Sequence, residues 1–110
     1  MDISTRKRGG VNVVSLSGSL DTNTSSQAEA RLQKLIDGGS LKILIDLTGI
    51  DYISSAGLRI LLVASKRLGK SGGKLRLCSL NETVQEVFDI SGFSMIFDLF
   101  ESEDQAMIDF

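Results

Sequence analysis

Leu41-Lys42-Ile43-Leu44-Ile45-Asp46-Leu47 is a short, nearly continuous apolar run, and beyond a polar turn Leu58, Leu61, Leu62, Ser65 and Leu68 recur at helical spacing. A run of that length suits a strand in the middle of a sheet, covered on both faces. Ile60 and Val63 make the following helix apolar over more than one face, so substantial burial is expected of it. Gly69 and the pair Gly72-Gly73 end that helix.

The same alternation continues in both directions. Upstream, Ala28, Leu32, Leu35 and Ile36 mark a helix, with Ser26 and Glu29 as its capping box and Gly38-Gly39 as its stop. Before it, Ile3 to Lys7 and Val11 to Leu16 flank Gly9-Gly10, a two-residue connection that predicts an antiparallel hairpin. Downstream, Lys74 to Cys78 alternates as a strand with Leu75 and Leu77 on one face. A third helix turns Val84, Val87 and Phe88 inward, with Ser79 and Glu82 as its capping box and Gly92 as its stop. Met95 to Phe100 reads as an edge strand. Ser102 and Gln105 open a terminal helix carrying Ala106, Met107 and Phe110. The expected fold is α/β: one domain over residues 1–110, with a mixed central sheet of about five strands and four helices in the order ββαβαβαβα.

Composition narrows the chemistry. The chain has 110 residues, 42% hydrophobic and 24% charged, with a net charge of −2. One core without staples is expected at this size, burying roughly two-thirds of the unfolded surface. The only basic cluster in the sequence, Arg6-Lys7-Arg8, is too small a field for direct nucleic-acid binding. No stretch approaches a membrane span, because Lys66 and Arg67 interrupt the run from Ile60. Met1-Asp2-Ile3-Ser4 lacks the basic-then-apolar pattern of a secretion signal, so a cytoplasmic protein with no membrane partner is expected. Cys78, the single cysteine, lies in an apolar strand and is read as a small buried hydrophobe.

The chain has no histidine, which removes the commonest general base and neutral metal ligand and rules out a Cys–His dyad. Asp21, Asp46 and Asp51 fall near strand ends and are the only carboxylates singled out for a metal, against a general reading of no metal and no cofactor. Gly69-Lys70-Ser71 copies the tail of a phosphate-binding loop, but Ala64 stands where that motif needs glycine, and the residues end a helix rather than begin one. No enzyme is expected.

One segment stands out: Asp46-Leu47-Thr48-Gly49-Ile50-Asp51-Tyr52-Ile53-Ser54-Ser55-Ala56-Gly57-Leu58. It sets two adjacent hydroxyls at a helix N-terminus, where free N–H groups and the positive end of the dipole converge. One serine can simply cap the helix. Alternatively, one can accept a phosphate, which such a terminus tolerates while its charge alters any interface there. Local physics leaves both readings open.

This segment resembles the signature of the STAS domain family, and of its bacterial anti-sigma-factor antagonists in particular. Leu16-Ser17-Gly18-Ser19-Leu20-Asp21 is similar to the family's Leu-Thr-Gly-Glu-Leu-Asp stretch, and Val87-Phe88-Asp89-Ile90-Ser91-Gly92-Phe93 is a third match. The similarity spans nearly the whole chain. It implies a non-catalytic partner switch. The unphosphorylated protein binds an anti-sigma factor that is also a serine kinase, phosphorylation releases it, and a serine phosphatase restores it.

By position relative to Gly57, the resemblance makes Ser55 the phospho-acceptor, with Ser54 as competitor. Ser54 stands in place of the family's acidic residue, and Ala56 in place of its second serine. The turn before the first helix and the serine turn are expected on one rim of the sheet, which joins Asp21, Thr22, Asn23 and Thr24 to Ser54, Ala56, Gly57 and Arg59 as a partner-facing surface, with Gly57 serving close packing more than contact. Asp21 can equally serve only to order its own turn. The protein is expected to be a monomer when free. The alternative is a constitutive STAS scaffold or transporter-associated subunit that is never phosphorylated.

Overall fold

The computed structural model describes residues 1–110. The elements are β1 (Asp2–Arg8), β2 (Val11–Leu20), α1 (Ser25–Asp37), β3 (Lys42–Ile53), α2 (Ser55–Lys70), β4 (Lys74–Cys78), α3 (Glu82–Ser91), a 3-10 turn at Phe93–Met95, β5 (Asp98–Phe100) and α4 (Glu103–Ala106). The order is the one the sequence predicts. The five strands lie in the spatial order β1-β2-β3-β4-β5, with β1–β2 antiparallel and every other pair parallel. Gly9 and Gly10 make the hairpin turn at φ 54° and 83°, a conformation that costs glycine little.

β3 is the central strand, and its alternation divides the core. Ile43 and Ile45 join Val14, Leu75 and Leu77 beneath α1, α2 and α3. Leu44 faces the other way, with Val11, Val13 and Cys78, and that side is covered by Ala106 of the short α4 together with Phe100, Met107 and Phe110. Burial pushes the Cys78 thiol up to about 11, so it is neutral at physiological pH, and the stability of burying it is lost only as pH rises from the ordinary thiol range toward that value. This is the inert buried cysteine expected from the sequence.

Several local expectations are corrected. The polar stretch after Leu47 is not a loop: β3 runs on to Ile53, pairing with Ser17 to Leu20. Two register shifts along this pairing put Ile50 and Ile53 into the core while Thr48, Asp51 and Tyr52 remain at the surface. α2 is apolar but not wrapped on all sides, since Val63 is 36% exposed, and it passes through Gly69 to end at Lys70.

Neither flanking capping box forms. α1 begins at Ser25, and the Asp21 carboxylate, not Ser26, receives the N–H groups of the preceding turn. α3 is capped by Asn81, whose side-chain oxygen accepts from the Val84 N–H at 2.8 Å while its amide donates to the Ile50 carbonyl at 3.0 Å. That double use ties α3 to β3, which Ser79 could not do from its place just after β4, where its N–H donates to the Phe100 carbonyl of β5. The edge strand is shorter than expected because Phe97 turns into the core against Phe88 and Phe93, which makes residues 93–95 a 3-10 turn.

The basic cluster near the start is largely consumed. Arg6 and Arg8 both ion-pair with Glu103, and Arg8 also with Asp104 at 2.9 Å, which docks α4 against β1. Hydrogen bonds from Arg6, and less from Arg8, hold the Glu103 carboxyl below its ordinary value against a push from burial. Its stabilising effect is therefore present above the ordinary glutamate range and fades as pH falls through the lowered value.

Candidate functional site

Because β2, β3, β4 and β5 run parallel, their C-terminal ends share one rim, and α1, α2 and α3 start from that rim. Leu20 and Ile53 are register partners at the ends of β2 and β3. The Ser54 N–H donates to the Leu20 carbonyl at 2.9 Å, so the turn beginning at Asp21 and the turn at Ser54-Ser55 are stitched side by side. The expected neighbourhood of Asp21 and the serine turn is thus built by the backbone.

The two serines have different jobs. Ser54 is extended at φ −99°, ψ 174°, and its hydroxyl accepts from the Gly57 N–H at 3.3 Å, as an N-cap. Ser55 is the first residue of α2 and is exposed. Replacing Ser54 with alanine is expected to lower stability by about 1 kcal/mol, readable from the urea midpoint.

Gly57 lies buried where the two turns meet. A Cβ there would stand 2.6 Å from the Leu20 carbonyl oxygen, 2.8 Å from Leu20 Cγ and 3.0 Å from Ile53 Cγ1. It is the close-packing residue expected from the sequence and, being buried, not a partner contact.

Asp21 orders its own turn. Its Oδ1 accepts from the N–H of Asn23 at 2.9 Å and of Thr24 at 3.2 Å. The Thr24 hydroxyl donates to the Ser19 carbonyl at 2.7 Å and accepts from the Asp21 N–H, so Thr24 is a structural residue as well. Thr22 and Asn23 are exposed, as is Arg59, one helical turn beyond Ser55 on the same face; Ala56 is half-buried. The sequence reading omits Tyr52, which is 51% exposed two residues before Ser54. Strand alternation alone puts Tyr52 in phase with Ile50, and the register shift between them is what leaves it at the surface, so no sequence signal marked it.

No three acidic or sulfur side chains converge into a metal-ligand set. The Asp46 carboxylate is engaged locally by the N–H and hydroxyl of Thr48. No helix is long and apolar enough to cross a membrane.

Comparison with known proteins gives a consistent picture. The family model described as the STAS domain matches residues 2–106. A protein of Bordetella bronchiseptica named BtrV, provisionally described as an anti-sigma factor antagonist, is 40% identical over 96% of this chain and 91% of its own length. The crystal structure of an anti-sigma factor antagonist from Mycobacterium paratuberculosis superposes with a TM-score of 0.88 at 25% identity, covering 96% of this chain and 90% of that one. Two SpoIIAA structures share the fold: an unphosphorylated form at 22% identity aligns with a TM-score of 0.83 over 96% of this chain and 93% of its own, and the phosphorylated form from Bacillus, at 21% identity, with 0.75 over 96% of both.

Proposed function

The chain belongs to the STAS domain family, and from that premise we propose that it is an anti-sigma-factor antagonist switched by phosphorylation at Ser55. Unphosphorylated, it binds an anti-sigma-factor serine kinase through the rim formed by the Asp21 and Ser54-Ser55 turns. The kinase transfers phosphate to Ser55, the complex dissociates, and a serine phosphatase returns the protein to its binding state. The cycle runs in the cytoplasm, and this chain supplies no catalytic group.

The observation that carries the reading is the division of labour between the serines. Ser54 is committed to capping α2, while Ser55 is exposed on the first turn, open to a kinase. A phosphate there adds about −1.5 to −2 charge beside free helix N–H groups, which accommodate it without refolding the domain. The fold itself is compatible with such a group, since SpoIIAA has been solved in a phosphorylated form. Asp21 on the adjoining turn and the exposed Asp51 make the rim more negative still once phosphorylated. Release therefore comes from local charge and bulk, with Arg59 placed to pair with the phosphate from one turn along the helix.

Calorimetric titration with the cognate kinase tests this. Ser55→Asp is expected to weaken binding by about a hundredfold or more while shifting the unfolding midpoint little, whereas Ser55→Ala binds like the native protein. Full-strength binding by Ser55→Asp contradicts the proposal.

A further inference from the structure

Every lysine of the chain lies toward the rim opposite the serine turn. Lys7 sits near the end of β1, Lys34, Lys66 and Lys70 lie in the C-terminal halves of α1 and α2, and Lys42 and Lys74 open β3 and β4. All are exposed. The modest net charge thus conceals a strong polarity, with the acidic Asp21 and Asp51 at one end and the lysines at the other. Complementing the helix dipoles explains Lys34 and Lys70. It does not explain Lys42 and Lys74, which begin interior strands.

Three clefts join along this basic rim. A cleft of 500 Å³ lies between the β1–β2 hairpin and α1, and one of 360 Å³ lies at the α1–β3 connection; they share Lys7, Asn12, Gly38 and Ser40. A third, of 290 Å³, lies between the starts of β3 and β4 and the last residues, and shares Leu41 and Lys42 with the second. Lys7, Arg31, Lys34, Lys42 and Lys74 line this continuous trough, and Asp109 is the only acidic side chain that does. Asp37, at the end of α1, is taken up by Arg67 at 2.9 Å. The last carbonyls of α1, those of Lys34, Leu35 and Ile36, accept from the N–H groups of Gly38, Ser40 and Gly39, so the helix's negative end is answered internally. The floor is fixed by the buried Asn12, whose amide donates to the Ser40 hydroxyl at 2.5 Å.

We propose that this trough docks an extended acidic segment of a partner protein. Its charge calls for an anionic occupant, and its shallow continuity suits an extended chain better than a compact ion. The cations are mostly lysines, point charges suited to separate carboxylates, and the single arginine, Arg31, is turned toward the Thr5 hydroxyl at 3.2 Å rather than free to fork a phosphate. Leu41, 50% exposed where two of the clefts meet, offers an apolar contact that a peptide can use and a nucleic-acid backbone cannot. The site is independent of the serine rim, so both ends of the domain can be occupied at once. A partner engaging both gains from the high effective concentration of its second segment.

Fluorescence anisotropy with a fluorescein-labelled nonapeptide, Glu-Asp-Glu-Glu-Leu-Glu-Asp-Glu-Glu, at low ionic strength tests the proposal. The native chain is expected to bind, and the double variant Lys34→Glu/Lys42→Glu to bind about tenfold or more weakly. Lys66→Glu/Lys70→Glu changes the charge equally but lies outside the trough, and is expected to stay within about twofold of native. Ser55→Asp, at the far rim, leaves peptide binding unchanged. Thermal unfolding of each variant confirms that it is folded. An equal loss in both double variants would mean diffuse attraction and overturn the site. No peptide binding by the native chain, or tighter binding of a single-stranded oligonucleotide or of phosphatidylglycerol vesicles at the same salt, overturns it as well.

Discussion

Replacing Arg76 by alanine is expected to lower the unfolding free energy by about 3 kcal/mol and to loosen the last residues of the chain. Arg76 points from β4 to the side covered by α4 and is 9% exposed. It has no carboxylate partner. Instead its Nη1 donates to the carbonyls of Ala106 at 2.9 Å and Ile108 at 2.8 Å, and its Nη2 to that of Asp109 at 3.0 Å. The guanidinium lies 5.1 Å from the Phe100 ring centroid and 4.6 Å from that of Phe110. One side chain thereby closes the C-terminal end of α4, holds Asp109 at φ 54° and clamps Phe110 over the sheet. Bonds from a charged donor contribute about 1.5 to 3 kcal/mol each, and each ring about 0.5 to 1. The sum is not realised in full, because the carbonyls of Ile108 and Asp109 regain water when the segment frays and Nε finds no acceptor even in the native protein. Arg76→Lys, with one compact ammonium, is expected to lose about half as much. Urea unfolding gives the energy and hydrogen exchange of residues 106–110 gives the loosening. A loss under about 1 kcal/mol contradicts the clamp.

The second large effect is expected at Gly57. Gly57→Ala places a methyl 2.6 Å from the Leu20 carbonyl oxygen, which cannot retreat because it is already accepting from the Ser54 N–H. Something in the backbone must move, at a cost of about 2 kcal/mol. Since Leu20 precedes Asp21 and Gly57 follows the two serines, the shift parts the turns that form the rim. Kinase binding is therefore expected to fall together with stability, in contrast to Ser55→Asp, which changes binding alone. A Gly57→Ala protein as stable as the native one contradicts the close approach.

Much of the architecture was legible because its signals are periodic. The aliphatic run at residues 41–47 marked the central strand, Gly9-Gly10 marked the hairpin, and helical spacing marked α1, α2 and α3. The continuation of β3 through Thr48 to Ile53 was not legible, since two register shifts break the alternation that a strand normally shows. Capping was misread where a stronger acceptor lay nearby. The Asp21 carboxylate outcompeted Ser26, and Asn81 could cap and reach Ile50 together, which Ser79 could not. Arg76 could not be found from sequence, because its partners are backbone carbonyls some thirty residues away and carry no residue signature. At the site, the pair Ser54-Ser55 was visible as two hydroxyls at a helix start; the choice of Ser55 came from the resemblance, and the cap bond from the Gly57 N–H to Ser54 supports it.

That choice is also where the account is most exposed. Incubating the protein with its cognate serine kinase and ATP, then mapping the phosphate by tandem mass spectrometry, is its most direct test. One phosphate on Ser55, abolished in Ser55→Ala and retained in Ser54→Ala, is the predicted result. Phosphate on Ser54, or equal modification of Ser55→Ala, contradicts it.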